Sequence, residues 1–279
     1  MRAFLIARDK RKGIPMLPFW KARYYVASLL GRVRATSRLT TRHGFALHGN
    51  ARDMVSRYIY TFGTWEPNLT ALVKARVGLD TQFYDCGTNI GYFSVLAANL
   101  GARVTGFEAS PEMAQLAQAN LRAAGFAGVV HNVALAAEEG ELALHDVSGA
   151  TNTGSRSVVK TSGAVHAVVR AAPLLSLVQL DPAAELFFKI DIEGAEGPVL
   201  AELLSWMAAH PLARVTIVAE VLDGAADTVR AFADLGCEVA YLPNSYAFAA
   251  YLHGEQEARL VPMAEGEPEK PFETVIWRD

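Results

Sequence analysis

From residue 82 onward, short β-rich apolar runs alternate with segments of helical length, and this alternation restricts the chain to a narrow set of folds. Strands separated by helices are the pattern of parallel βαβ units, because parallel neighbours need a crossover long enough to return the chain to the same end of the sheet. The strand candidates are 82–86, 103–108, 129–134, 186–192, 214–221, 238–242 and 274–277. Between them, 92–100, 111–124, 196–209 and 225–235 carry helical spacing of apolar residues. Ser110-Pro111-Glu112 marks one helix start with an N-cap, a proline at the first helical position and an acid in the first turn. The expected architecture is a doubly wound α/β sheet of seven mostly parallel strands. Residues 141–178 do not fit a single unit and are expected to add a hairpin or a loop insertion.

A chain of 279 residues has room for one large α/β domain and an extra segment. We divide it into a basic N-terminal helical extension at 1–50 and a main domain at 51–279. Up to residue 42, eleven lysines and arginines face a single acid, Asp9, although the whole chain has a formal net charge of −3. Within that stretch Phe19, Arg23, Val26, Leu30 and Val33 recur at helical spacing, which predicts a basic amphipathic helix over 19–35. Such a helix either docks on the main domain with its arginines in water, or binds an acidic membrane surface or nucleic acid. No apolar run reaches the ~20 residues of a membrane span, and no cleavable signal peptide is present, so a cytoplasmic location is expected. Cys86 and Cys237 stand in no paired spacing, which argues against a disulfide framework or a zinc site.

The strongest local signal is Phe83-Tyr84-Asp85-Cys86-Gly87-Thr88-Asn89-Ile90-Gly91, an apolar strand running into a glycine-bearing turn and then a helix. Ligands of doubly wound sheets bind at the carboxyl ends of the strands, so this turn faces a pocket. Gly87 lets the backbone approach a ligand, and Gly91 permits close packing of the helix start on the strand. The spacing is G-x-x-x-G, with Asn89 where a dinucleotide fingerprint requires its middle glycine; a pyrophosphate-binding oxidoreductase is therefore disfavoured. Glu108 ends the second strand, where a carboxylate accepts hydrogen bonds from both hydroxyls of a ribose. Asn132, at the end of the third strand, is placed to reach an adenine edge, or simply terminates the strand.

Four segments carry a resemblance: Gly63-Thr64-Trp65-Glu66-Pro67, Asp85-Cys86-Gly87-Thr88-Asn89-Ile90-Gly91, Asn152-Thr153-Gly154-Ser155 and Lys189-Ile190-Asp191-Ile192-Glu193-Gly194-Ala195-Glu196. Over roughly residues 43–279 the chain resembles the FkbM family of S-adenosylmethionine-dependent methyltransferases. The resemblance implies a Rossmann-like class I methyltransferase sheet, with S-adenosylmethionine as cofactor and S-adenosylhomocysteine as product. It also implies O-methylation of a hydroxyl on a small molecule, sugar, glycan or natural product. S-adenosylmethionine has no phosphate, which suits Asn89, and its amino-acid end can use Asp85 and Asn89. The cofactor-binding residues implied are Glu66, Asp85, Gly87, Thr88, Asn89, Gly91, Glu108, Asn132 and Asp191, with Glu66 closing over the methionine end or the sulfonium. The chain departs from the family at Cys86 and Thr88, where Val and Ala are commoner, and at Ala136-Ala137, where a Ser-Asp pair is usual.

Methyl transfer is an in-line displacement at an activated carbon, so positioning supplies most of the rate, and a hydroxyl acceptor also needs a proton acceptor. Phe187-Phe188-Lys189-Ile190-Asp191-Ile192-Glu193 delivers two carboxylates at a strand end beside the glycine turn. Asp191 and Glu193 are the candidate catalytic residues, Asp191 as base or substrate ligand. Lys189 pairs with a site carboxylate or forms an ordinary strand salt bridge. Asp191 and Glu220 would suit Mg²⁺ if brought together, but no metal-ligand spacing is present and no metal site is assigned. The seven histidines are scattered. A nucleic-acid methyltransferase using the basic segment, and a membrane-surface enzyme acting on a lipid-linked sugar, are the competing readings. The first lacks the Pro-containing tetrapeptide of amino-group base methylases and a Pro-Cys nucleophile pair.

Overall fold

The computed structural model describes residues 19–32, 36–50, 53–146, 156–157, 164–192, 194–221, 226–252, 257–263 and 272–279. Helix α1 (Phe19–Arg32) is followed by a hairpin of β1 (Thr36–Thr40) and β2 (Ala46–Asn50), then by α2 (Met54–Phe62) and α3 (Pro67–Arg76). The alternating region opens with β3 (Thr81–Cys86), α4 (Tyr92–Asn99), β4 (Arg103–Glu108), α5 (Pro111–Ala123) and β5 (Val129–Asn132). Next come β6 (Ala134–Leu135), β7 (Gly140–Asp146), β8 (Arg156–Ser157), β9 (Val165–Ala172) and the short α6 (Leu174–Leu177). The chain then runs through β10 (Glu185–Ile190), α7 (Glu196–Ala209), β11 (Arg214–Ala219) and α8 (Ala226–Asp234). It finishes with β12 (Glu238–Pro243), α9 (Phe248–Leu252), β13 (Val261–Pro262) and β14 (Phe272–Arg278).

The central sheet has the order β13-β12-β14-β11-β10-β3-β4-β5. β11, β10, β3, β4 and β5 are parallel, and β14 runs antiparallel between β11 and β12. The chain winds outward from β3 through β4 to β5 and then crosses back to β10, so the strand order reverses between β3 and β10. A crevice opens above the carboxyl ends at such a reversal. The doubly wound α/β architecture is the expected one, with eight strands among the described residues in place of seven. The additional strand, β13, pairs with β12 over two residues, too few to leave a periodic pattern.

Central strands buried on both faces read as continuous apolar runs, and β10 is of this kind: Leu186, Phe187, Phe188 and Ile190 are all buried. Its register against β3 is keyed by two aromatic pairs, Phe187 on Phe83 at 5.2 Å and Phe188 on Tyr84 at 4.8 Å between centroids. Because successive side chains alternate faces, Phe83 and Phe187 join the core under α2–α4, while Tyr84 and Phe188 join the core under α7 and α8. A slip of one residue would exchange the two faces, so these pairs also fix which strand ends meet at the crevice.

The region 141–178 supplies the expected hairpin as β7 and β9, part of a second sheet of order β6-β9-β7-β8. Residues 36–50, read as part of the helical extension, form the β1–β2 hairpin, and among the described residues of the segment the helix is Phe19–Arg32. Leu39, Phe45 and Leu47 of the hairpin belong to the same hydrophobic cluster as Phe83 and Phe187. The buried Asn120 of α5 ties it down: its Oδ1 accepts from His48 N at 2.7 Å, and its Nδ2 donates to the carbonyls of His48 at 2.9 Å and Ile90 at 2.8 Å. One buried amide thus joins the hairpin to the glycine turn.

Candidate active site

A cavity of about 290 Å³ lies over the carboxyl ends of β4, β3, β10 and β11, and the first residues of the antiparallel β14 complete its wall. The glycine turn forms one side. Gly87 and Gly91 adopt φ of 85° and 86°, and Asn89 joins them at 50°. At Gly87 a Cβ would sit 1.8 Å from the carbonyl oxygen of Asp191, so the turn after β3 can touch the turn after β10 only with glycine there. Gly91 has a different neighbour from the one expected. A Cβ there would press on Ala117 of α5 at 3.2 Å, so the glycine serves packing of helix on helix and does not face the cavity.

Glu108 lines the cavity and braces the turn: Asn89 N donates to its Oε2 at 2.8 Å and Ser110 N to its Oε1 at 2.9 Å. Burial pushes its pKa up, and the two backbone donors oppose this. Two ionised oxygens offer about four acceptor sites, so capacity for ligand hydroxyls remains. Thr88 and Asn89 also line the cavity, with Thr88 Oγ1 donating to the carbonyls of Asp85 and Phe107, both at 3.1 Å.

Two expected contacts are placed elsewhere. Asn132 donates Nδ2 to the carbonyls of Glu108 and Ala109, each at 2.9 Å. The amide is committed to the chain leaving β4 and does not line the cavity. Asp85 lies beneath the turn with 1% exposure, accepting from Ser94 Oγ at 2.6 Å, with Lys189 Nζ 3.8 Å away. Both residues therefore support the pocket wall. The sequence places them at strand ends correctly, but strand position does not say which way a polar group turns.

Lys189 is the hub beneath the floor. Its buried Nζ donates to the carbonyl of Gly87 at 2.9 Å and to Asp191 Oδ2 at 3.2 Å. Burial alone would lower its pKa, but Asp191, Asp85 and Glu66 outweigh it and keep the ammonium charged. Asp191 reaches the cavity with its side chain 43% exposed.

Glu66 enters from the opposite wall. It caps α3 with φ 40°, an unfavourable conformation for a residue with a Cβ, and its buried carboxylate accepts from Tyr246 Oη at 3.0 Å. Tyr246 in turn stacks on Trp65 with centroids 5.5 Å apart. Burial and Asp191 push the Glu66 pKa up to about 7 against the opposing pull of Lys189.

Glu273, which the sequence analysis did not single out, completes this wall. Its Oε1 accepts from Asn244 Nδ2 at 2.9 Å, while Oε2 is buried with no hydrogen-bond partner among the described residues. Burial, with Glu66 and Asp191 nearby, raises its pKa well above the ordinary carboxylate range. It reaches the site because β14 runs antiparallel and starts level with the end of β11, a pairing that no local pattern announces.

Glu196, present in the resembling segment but given no role, has its buried Oε1 accept from Ile192 N at 3.1 Å and Gly194 N at 3.0 Å, shaping the turn that presents Asp191. Glu193 and residues 152–155 lie outside the described residues. Among the described residues no histidine lines the cavity, and no group of three or more His, Cys, Asp or Glu is arranged to hold a metal ion.

A doubly wound sheet with a glycine turn after β3, an acid ending β4 and a carboxylate-lined cavity at the strand reversal defines a Rossmann-like, S-adenosylmethionine-dependent methyltransferase. The family model described as the methyltransferase FkbM domain matches residues 85–234, and the chain belongs to that family. The cavity suits the cofactor: backbone at Gly87 permits close approach, Glu108 offers acceptors to hydroxyls, and carboxylates on the far wall suit a sulfonium.

Among solved structures, the chain is similar to precorrin-6y C5,15-methyltransferase from Geobacter metallireducens GS-15, at 14% identity and TM-score 0.40, covering 76% of this chain and 86% of that one. A Pyrococcus abyssi tRNA (uracil-54, C5)-methyltransferase in complex with S-adenosyl-L-homocysteine is matched at 10% identity and TM-score 0.43, over 87% of this chain and 43% of that one. A ribosomal protein L11 methylase from Lactobacillus delbrueckii subsp. bulgaricus is matched at 15% identity and TM-score 0.38, over 75% and 76%. Comparison with curated proteins gives no match.

Proposed function

We propose that the enzyme transfers the methyl group of S-adenosylmethionine to a hydroxyl oxygen of a small molecule or glycan, with Glu273 as proton acceptor. The observation that carries this is the cavity wall opposite Glu108, where Glu66, Asp191 and Glu273 converge and Glu273 Oε2 has no partner among the described residues. An alcohol is a poor nucleophile until its proton leaves, and a carboxylate within reach supplies that service. Asp191 already shares Oδ2 with Lys189, which suits it to orienting the acceptor hydroxyl.

When bound, S-adenosylmethionine supplies an electrophilic methyl on a sulfonium. The acceptor oxygen would take that methyl, with the electron pair of the broken carbon–sulfur bond staying on sulfur, and Glu273 would accept the hydroxyl proton. Glu108 and the Gly87 turn would hold the nucleoside end, and Glu66, on the wall across the cavity, would favour the positive charge. A fixed cation beside Glu66 and Glu273 favours their ionised forms, so the base is readied when the site is filled.

The test is to supply labelled-methyl S-adenosylmethionine with a panel of sugars, phenols and hydroxylated polyketides and locate the label by NMR. An oxygen-bound methyl is the expected product; a carbon- or nitrogen-bound methyl sinks the proposal. With the acceptor in hand, Glu273→Gln should lower kcat by about 10²–10⁴ with little change in affinity for S-adenosylhomocysteine. A Glu273→Gln enzyme with unaltered kcat removes the base assignment.

A further inference from the structure

Helix α1 presents an apolar stripe to solvent that the methyl-transfer site does not use. Phe19 is 77% exposed, Tyr25 60%, Val26 45% and Leu29 58%. With Ala22 these positions recur every three to four residues, so they lie along one face of the helix. The other side is occupied. Tyr24 packs edge-on to Tyr58 at 6.3 Å and lies 5.0 Å from Phe248, and the guanidinium of Arg23 donates to the carbonyl of Tyr60 while lying over its ring. The helix is thus anchored by its inner face and leaves the stripe outward. Other exposed large apolar side chains, such as Leu79, Val129 and Leu212, stand singly.

The charge of the sequence flanking the stripe is as one-sided as the stripe's hydropathy. Residues 1–42 carry eleven lysines and arginines and one acid in a chain of net charge −3. Arg23 and Arg42 are committed to backbone carbonyls, Arg42 donating to those of Phe62 and Tyr251. A nucleic acid would be bound by the cations and could stack bases on Phe19 and Tyr25, but would leave the aliphatic Val26 and Leu29 without a partner. A second copy docked symmetrically through the stripe would bring two cation-rich segments together. An anionic bilayer satisfies both features, since apolar side chains enter the headgroup region while basic groups meet lipid phosphates and carboxylates. Among the described residues no helix is long and apolar enough to cross a membrane.

We propose that α1 is an interfacial helix that seats this enzyme on an anionic lipid surface through Phe19, Tyr25, Val26 and Leu29. α1 packs on α2, whose Met54 and Val55 line the cavity, so docking brings the site beside the bilayer and favours an acceptor presented there. That last step rests on the methyl-transfer reading; the docking itself does not.

The test is flotation of the full chain with phosphatidylcholine vesicles, with and without phosphatidylserine, alongside the triple variant Phe19→Ser, Tyr25→Ser, Leu29→Ser. The unaltered chain should float with the phosphatidylserine vesicles, less so as salt rises, and only poorly with phosphatidylcholine alone. The variant should partition about tenfold more weakly, with an unchanged circular dichroism spectrum and unchanged calorimetric affinity for S-adenosylhomocysteine. Equal partition of the two proteins overturns the proposal, as does failure of the unaltered chain to float. A dimer that the variant converts to monomer would assign the stripe to a second copy, and RNA retention without vesicle binding would assign the cations to nucleic acid; either result overturns it. Flotation without S-adenosylhomocysteine binding would support the docking and sink the methyl-transfer reading, so the two fail separately.

Discussion

Glu66 shows how far one side chain's chemistry is set by its surroundings. An ordinary glutamate titrates near 4.5; burial and the proximity of Asp191 hold this one near 7. The raised value means that the protonated form is favoured in the folded protein. Its contribution to stability is full below about pH 4.5 and is lost as pH rises through about 7. The positively charged sulfonium favours the ionised form, whereas the neutral thioether of the product does not. The ratio of affinities for S-adenosylmethionine over S-adenosylhomocysteine should therefore rise by about tenfold from pH 6 to pH 8, measured by calorimetry. Glu66→Gln should flatten that dependence; a ratio that varies equally in both proteins would remove Glu66 from the sulfonium's neighbourhood. The sequence showed Glu66, Glu108 and Asp191 because each belongs to a local motif. Glu273 was invisible, since an acid inside a strand carries no sign of where that strand pairs.

At the scale of elements, the turn after β3 and the turn after β10 are fitted to each other. The 1.8 Å separation that a Cβ at Gly87 would have from Asp191 O admits no side chain, and φ at that position is itself unfavourable for any residue with a Cβ. Gly87→Ala should force the two turns apart, lowering stability by about 1–3 kcal/mol and weakening S-adenosylhomocysteine binding at least tenfold. Thermal unfolding and calorimetry read the two effects, and a variant with native values for both would refute this account of the glycine. Helix and strand positions here were legible because apolar periodicity and the Ser110-Pro111 cap are local. The hairpin at 36–50 was not, because its large buried apolar residues, Leu39, Phe45 and Leu47, are few, and Thr40-Thr41-Arg42-His43-Gly44 sets the first apart from the others.

For the whole molecule, that hairpin decides where the chain can be cut. Leu39 and Leu47 are completely buried and Phe45 nearly so, all within the cluster that includes the central strands. Fully burying each such side chain contributes about 1.5–3 kcal/mol, so losing three removes an amount comparable with the net stability of a domain. A chain beginning at residue 51 should be insoluble or melt far below the full protein. One beginning at residue 36 should keep cooperative unfolding and S-adenosylhomocysteine binding. Calorimetric scans of the two shortened proteins check this, and a chain from 51 with native melting would make the hairpin dispensable.

The amino-acid order by itself determined the alternation of strands and helices, the glycine turn and the acids at the ends of β4 and β10, because each is written in residues close together along the chain. Only the tertiary structure decided which polar groups face the cavity and which brace it. Asp85 and Asn132 turn away to satisfy buried neighbours, while Glu273 arrives through the antiparallel β14. The physical reason is that side-chain direction follows partners and strand pairings from elements far apart in the sequence: Ser94 and the carbonyls of Glu108 and Ala109 draw Asp85 and Asn132 away, and the pairing of β14 with β11 sets Glu273 in the wall.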